Sequence, residues 1–463
     1  MVKNKKIMLV DFDDQFFIDI ISNLIKKGVK ILYLITCSEK DYKNNSLTKN
    51  IKLFNPEIFS YPKFINQLNI HNNETLSTGI INDFIEYENL FLTISDRLCF
   101  FPISVKERKM IYQELLLYWY SFFKKIHLDA VIFASTPHLG FYNIIYGVAK
   151  KLNVKNLYII RTLIENRVLL LNDYKEITKI PPCFLQSKNK EELIKIIGND
   201  FYEEIFKPSI WIKRSINLNQ KVINRNLFFR LKEFIAVCFR FIKFIFQGSS
   251  TSVFYLNNGC NKIFIGLLCI YVNFKVNQLR NYYQKNVSMV NWNKKFVYFS
   301  LHFQPERSTV PEGGVFENQL LALDILSKSI PKDWLIYVKE HPRQFESNDP
   351  RRIHYRNKEF YDKMLRNKNV RLIKIDEDSG KLIQKAIFTV TITGSAGWQS
   401  LIKNKPCLVF GNPWYSGCQS CFIADSIDKC KETINFILQK NLKEVETDVL
   451  KYLAFYKDRF IKR

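Results

Sequence analysis

No apolar run in this 463-residue chain reaches the ~18 residues that a membrane-spanning helix needs. The longest, residues 263–272, is flanked by Lys262 and Lys275 and is too short to span. A secretory leader is not expected either. The apolar stretch 7–10 ends at once in Asp11-Phe-Asp-Asp14, and a leader needs roughly 7–15 apolar residues. Two phosphate-binding fingerprints are missing. There is no GxxxxGK[ST], and Gly313-Gly314 lacks the later glycine of GxGxxG, which argues against nicotinamide chemistry. Only one CxxC occurs, Cys418-Gln-Ser-Cys421, and one pair cannot complete a four-ligand zinc site. The 10 cysteines mostly sit in apolar runs, as reduced core thiols do. Gly/Ser linkers, low-complexity tracts and internal repeats are absent. These absences point to a cytoplasmic protein whose route to a membrane is peripheral contact at its inner face.

Acidic residues are in short supply: 44 Asp and Glu stand against 69 Lys and Arg, a net charge of +25. That balance favours anionic partners. A chain this rich in Lys, Asn and Ile also acquires such an excess by compositional drift, so charge alone selects no partner. No nucleic-acid-binding motif or aromatic–basic platform accompanies it, and nucleic acid is not an expected partner. Hydrophobic residues make up 47%, so the chain is globular with sizeable cores.

Apolar strands and amphipathic helices alternate in two stretches of the chain. Residues 6–10, 16–25 and 30–35 read strand–helix–strand. A long aromatic helix is predicted over 104–126, then strands at 130–134 and 157–160. From residue 294 the alternation returns, with strands at 296–302, 334–339, 370–375, 387–392 and 407–410. The expected fold class is α/β, with two Rossmann-like doubly wound domains facing a cleft and a helical insert between them. The domains divide as 1–175, an insert at 176–290, 291–440, and a helical basic tail at 441–463. Within the insert, residues 226–247 place Arg230, Lys232, Arg240 and Lys243 among many Phe and Ile. That segment either lies on an anionic membrane surface or packs as a helical hairpin.

Chemistry is expected where strands end, because ligands of open α/β sheets bind at the strand carboxyl ends. His341-Pro342 follows a strand, and its imidazole can donate to a phosphate oxygen. Thr393-Gly-Ser-Ala-Gly397 joins a strand to a helix, offering free N–H groups, hydroxyls and close backbone approach. Simple helix capping by Thr393 or Ser395 is the competing reading. Glu312-Gly-Gly314 suits close approach to a phosphate or sugar, with Gln304, Glu306 and Arg307 nearby. Trp414 and Tyr415 of Gly411-Asn-Pro-Trp-Tyr415 either stack on a ligand or pack between domains. In the first half, Asp13, flanked by Asp11 and Asp14, and His138 follow strands. With Glu312 they are the candidates for the catalytic base.

The stretch from Tyr298-Phe-Ser-Leu-His-Phe-Gln-Pro-Glu-Arg-Ser-Thr309 through Lys339-Glu-His-Pro342 to Gly411-Asn-Pro-Trp-Tyr415 resembles GT-B glycosyltransferases. Within them it is most similar to bacterial capsular polysaccharide biosynthesis proteins, including CMP-Kdo-dependent and sialyl or polysialyl transferases. The resemblance covers the last third well and the first 170 residues only in general shape. It implies that His341, with Pro342, contacts a nucleotide phosphate, and that Thr393, Gly394 and Ser395 bind the nucleotide. Gly313, Gly314 and Gly397 complete the expected donor site. It also implies a metal-independent reaction with no cofactor, the nucleotide-sugar being a substrate. The acceptor is expected to be an anionic or lipid-linked glycan. Two rivals remain at this level: a CDP-glycerol-type polyol-phosphate transferase, and a non-catalytic membrane-associated glycan-assembly protein.

Overall fold

The computed structural model describes residues 3–13, 15–37, 50–56, 75–98, 103–177, 189–207, 262–345 and 351–462, with Tyr42, Thr48, Ile180, Pro181, Phe184 and Ile235 as single positions. Two sheets organise them. The first holds β1 (Lys6–Val10), β2 (Lys30–Ile35), β3 (Lys52–Phe54), β4 (Ala130–Phe133), β5 (Lys155–Arg161) and β6 (Arg167–Leu171). The second holds β7 (Phe296–Ser300), β8 (Leu335–Lys339), β9 (Val370–Leu372), β10 (Thr389–Thr391), β11 (Cys407–Val409) and β12 (Cys421–Ile423). A last strand, β13 (Phe460–Lys462), joins the first sheet.

The first sheet runs β13-β6-β5-β4-β1-β2-β3, and the second β12-β11-β10-β7-β8-β9. Every pairing in the second sheet is parallel. In the first, only the two pairings of β6, with β5 and with β13, are antiparallel. The strands are apolar on both faces because helices cover both sides, as parallel sheets require. The helix Val105–Lys125 illustrates this covering. Ser104 caps it, accepting from Glu107 N, and it buries Ile111, Tyr112, Leu115, Leu116, Trp119 and Phe123 along one stripe.

Strand order reverses once in each sheet. In the first, the chain leaves β1 toward β2 on one side and reaches β4 on the other; in the second, β8 and β10 flank β7. Crevices open at such reversals. The loops after β1 and β4 form one, and those after β7 and β10 form the other. The expected architecture of two Rossmann-like domains facing a cleft is the one observed.

Four elements depart from the expected division. The helix Lys262–Lys285, read as part of the insert, buries Val272, Val276, Leu279 and Tyr283 in the core of the second sheet. The helices Lys190–Ile197 and Asn199–Phe206 instead pack on the first domain through Leu193, Ile197, Phe201 and Ile205. The insert's two ends thus serve different domains. The basic aromatic segment 226–247 lies outside the described residues apart from Ile235. The tail is not wholly helical either. After the helix Glu444–Phe455 the chain returns to the first domain, where Phe460 pairs with Leu169 on β6. An unpaired edge on β6 is covered in this way. Among the described residues no helix is long and apolar enough to cross a membrane.

Candidate active site

On the second domain the loops after β7 and β10 meet at His302. Its backbone N–H donates to Gln319 Oε1 at 2.8 Å, and its carbonyl accepts from Arg356 Nη2 at 3.0 Å. The buried ring reaches β10: Nε2 lies 3.1 Å from Thr393 N and 3.0 Å from Thr391 Oγ1. The hydroxyl of Thr393 donates to Ser308 O at 2.6 Å, so it does not cap the following helix, Ser395–Leu401. Gly394, the N-cap, has no side chain to do so. A Cβ there would sit 2.6 Å from Thr391 Oγ1 and 3.0 Å from His302 Nε2, which is why the loop needs glycine. The capping reading is therefore set aside, and Ser395 is exposed.

The loop after β8 is held by a buried ion pair. Arg356 Nε meets Glu340 Oε2 at 2.8 Å. Tyr361 OH donates to the same oxygen at 2.8 Å, and His341 N donates to Glu340 Oε1 at 2.8 Å. Arg356 Nη1 reaches across to Gln304 Oε1 at 2.6 Å, joining the loops after β7 and β8. His341 Nδ1 accepts from Arg343 N at 3.2 Å, so the ring proton sits on Nε2. Burial, with the neighbouring His302 and Arg343, pushes the imidazole down to about 3. His341 therefore offers a phosphate a neutral N–H donor, not the positive charge that the sequence left open. Pro342 starts a buried turn, Pro342–Phe345.

On the first domain Asp11, Ser135 and His138 form a cluster. Ser135 Oγ donates to Asp11 Oδ2 in a short hydrogen bond. Its proton being spent there, His138 Nδ1 is the donor toward Ser135 Oγ at 3.2 Å and Thr136 O at 3.1 Å. Nε2 then carries the lone pair. Burial raises the Asp11 carboxyl, against the pull of Ser135, Arg307 and Arg161. Burial, with Arg307 and Arg97, holds His138 neutral down to about 3. Asp13 is employed differently. Its Oδ1 accepts from Thr36 Oγ1 and Cys37 N, both at 2.7 Å, tying the end of β1 to the end of β2.

The two domains touch across the cleft where Thr136 Oγ1 donates to Glu312 Oε1 at 2.8 Å. Arg307 Nε lies 3.4 Å from the same oxygen. Beside this bridge is a cavity of about 480 Å³, lined by Thr136, Arg161, Tyr174 and Lys175 on one wall and Arg307, Glu312, Gly313, Gly314 and Thr393 on the other. Three of its charged residues are cations and one is a carboxylate. A Cβ on Gly313 would lie 2.7 Å from Thr309 O, so the bare backbone forms the wall.

Of the expected residues, Glu312, Gly313, Gly314 and Thr393 line this cavity directly. Gly394 and Ser395 adjoin Thr393, and His341 lies toward β8, its ring 6.0 Å from that of Phe303. Gly397 has a packing role: a Cβ there would meet Tyr415 OH at 2.3 Å. Trp414 and Tyr415 pack with Trp398 and Tyr452 in the core shared by both domains, and Trp414 also lines the cavity. Sequence reasoning passed over His302 and Arg356 and ranked Asp11 behind Asp13. His302 had a visible signal, a histidine at a strand end with Gln-Pro-Glu after it. Among the described residues no group of His, Cys, Asp and Glu has a metal-binding arrangement. Cys418 and Cys421 are buried.

Residues 270–419 match the family model described as capsule polysaccharide biosynthesis protein. No curated protein matches the chain. Among solved structures, the chain is similar to the beta Kdo 2,7 transferase KpsC of Thermosulfurimonas dismutans, with 12% identity and a TM-score of 0.32 over 73% of this chain and 78% of that one. It is also similar to the UDP-GlcNAc 2-epimerase of Methanocaldococcus jannaschii, with 12% identity and a TM-score of 0.25 over 97% and 99% of the two chains. The loops bearing His302, Glu306, His341 and Thr393 thus lie within a segment that carries the signature of the capsule polysaccharide biosynthesis family.

Proposed function

We propose that the protein is a glycosyltransferase that moves a sugar from a nucleotide-activated donor, CMP-linked in our reading, to a capsular or surface polysaccharide. The observation that carries this is the meeting of two strand-reversal crevices at one cationic cavity, bridged by Thr136 and Glu312. The donor phosphate is seated by Gly313, Gly314, Thr393, Gly394 and Ser395, with His341 Nε2–H as a neutral donor. Arg307 offsets the charge that grows on the leaving phosphate, so no metal is called for in this scheme. Arg161 and Lys175 on the opposite wall suit an anionic acceptor.

In the reaction the acceptor oxygen attacks the anomeric carbon and the bond to the phosphate oxygen breaks. The hydroxyl proton passes to Asp11, which Ser135 and His138 hold in place, and the nucleotide leaves with the electron pair. Closure of the two domains supplies alignment and excludes water.

The test is a thermal shift with CMP, CDP, UDP, GDP and ADP, beside His341→Ala. A CMP-specific rise is expected, worth roughly 2.7 kcal/mol at a hundred times Kd. It should shrink or vanish in the variant, whose melting temperature without nucleotide stays near the parent value. A shift with UDP or GDP instead reassigns the donor to an ordinary hexose nucleotide. No shift with any nucleotide overturns the reading.

A further inference from the structure

We propose that His302 is a positioning residue for the reaction, holding the donor-phosphate loop after β10 and the Glu306 carboxyl in one hydrogen-bonded unit. The inference rests on the glycosyltransferase reading of the cleft.

The direction of each bond can be worked out. A backbone N–H can only donate, so the 3.1 Å contact from Thr393 N fixes the lone pair on His302 Nε2. The ring proton is then on Nδ1, 3.2 Å from Ser308 Oγ. Ser308 in turn donates to Glu306 Oε2 at 2.8 Å. The chain runs from imidazole N–H to hydroxyl to carboxylate without a break, and every proton has one place to go. Both ends touch functional ground. At one end Thr393 lines the cavity, and at the other Glu306 lies in the fields of Arg307, Arg343, Glu312 and Arg97.

The ring has little freedom to do anything else. It is 5% exposed, and its backbone is clamped by Gln319 on the N–H and by Gln319 and Arg356 on the carbonyl. Gly394 presses against Nε2 so closely that a Cβ would intrude. Burial and the Arg356 charge hold the imidazole down to about 4, so it stays neutral and keeps its acceptor nitrogen at physiological pH. Burial raises the Glu306 carboxyl, and the Ser308 hydrogen bond opposes that rise. Removing the Ser308 hydroxyl therefore sends Glu306 further up.

Three variants test this: His302→Phe, His302→Gln and Ser308→Ala. Loss of loop position in His302→Phe should cost about 100-fold in kcat. Ser308→Ala should cost about tenfold, the size of one charge-assisted hydrogen bond. In Ser308→Ala the Glu306 titration also moves to higher pH. His302→Gln, which can still accept from Thr393 N, should recover most of the loss seen with Phe. A Phe variant with parent kcat overturns the proposal. So does a Gln variant no better than Phe together with an unmoved Glu306 titration in Ser308→Ala, which is the pattern of a purely structural residue. The ring's tautomer, read by nitrogen NMR of the parent protein at pH 7, is independent of turnover. Protonation on Nδ1 is expected, and protonation on Nε2 sinks the relay. A parent protein with the stated tautomer but no nucleotide binding would refute the glycosyltransferase reading and, with it, the role in catalysis, leaving only the geometry.

A companion measurement follows from the same burial. His302 is held below its unfolded value of about 6.5, so the unfolded chain binds a proton that the folded chain refuses between about 6.5 and about 4. Its contribution to stability is present above that window and is lost as pH falls through it. The stability gap between parent and His302→Gln should be smaller at pH 5 than at pH 7 by a factor of roughly 10 in the unfolding constant. A gap that does not change with pH contradicts a neutral buried ring.

Discussion

Arg356→Leu is expected to lower stability by about 3–5 kcal/mol and to weaken nucleotide binding, although Arg356 lines no part of the cavity. The guanidinium and the Glu340 carboxylate are 1% and 0% exposed, so neither charge has water to fall back on. Removing the cation leaves a carboxylate buried with only Tyr361 OH and His341 N as partners. The penalty is that of an unpaired buried charge, not the net worth of the pair. It follows that Arg356→Leu combined with Glu340→Leu should be more stable than Arg356→Leu alone. By contrast, Lys363→Ala, which removes the exposed pair with Glu359, should change stability by less than about 1 kcal/mol. Urea unfolding of the four proteins checks this. A single Arg356→Leu variant with the parent midpoint would show that the pair is not sealed from solvent.

The same side chain explains the expected effect on binding. Arg356 spans Gln304 Oε1, His302 O and Glu340 Oε2, fastening the loops after β7 and β8 to each other. Its guanidinium also stacks 4.1 Å from the Phe360 ring centre. Without it the His302 and His341 loops lose their common anchor.

Arg356 was not legible in the sequence because nothing local marks it. It sits among Arg351, Arg352 and Lys358 in a stretch that reads as a solvated helix surface, and only the tertiary fold turns it inward. The loops that were legible share a local signal: an apolar β-branched run broken by glycine, or by histidine with proline. That signal exposes the strand end and the need for close backbone approach together, as at Thr393–Gly394 and Gly313–Gly314. Asp11 and Asp13 could not be told apart in the sequence for a different reason. Alternation along an extended chain puts both on one side, but Asp11 has φ +70°, and the turn there breaks the alternation. The helix Lys262–Lys285 fell inside the stretch read as an insert. Its buried stripe at 272, 276, 279 and 283 shows itself only against the second sheet. The strand Phe460–Lys462 has three residues, too few for any period to emerge.

Asp11→Asn should cut kcat by about 10²–10⁴ while leaving nucleotide affinity within about threefold of the parent. The amide keeps the shape and still accepts the Ser135 hydroxyl, so the loop after β1 has no reason to move. What it loses is the charge and the ability to take a proton. A carboxyl raised by burial is a stronger proton acceptor than a solvated one, which is the direction a base needs, and burial raises Asp11. His138 is a weaker choice, since an imidazole held down to about 3 gains little from accepting a proton. It serves better by orienting Asp11, whose Oδ2 lies 3.9 Å from His138 Nδ1. Glu312 already takes the Thr136 hydroxyl and the Arg307 charge across the cleft, which suits it to joining the domains. Activity should fall as pH drops through the raised Asp11 titration, because protonation removes the acceptor. In the Asn variant that acid limb disappears. Asp13→Asn should behave oppositely: two charge-assisted hydrogen bonds to β2 weaken, stability falls by about 1.5–3 kcal/mol, and kcat changes less than tenfold. Steady-state kinetics and calorimetric nucleotide binding on the two variants decide between the carboxylates. Equal losses of kcat in both would mean that the cleft relies on the summed negative charge at the end of β1, and that no single carboxyl there is the base.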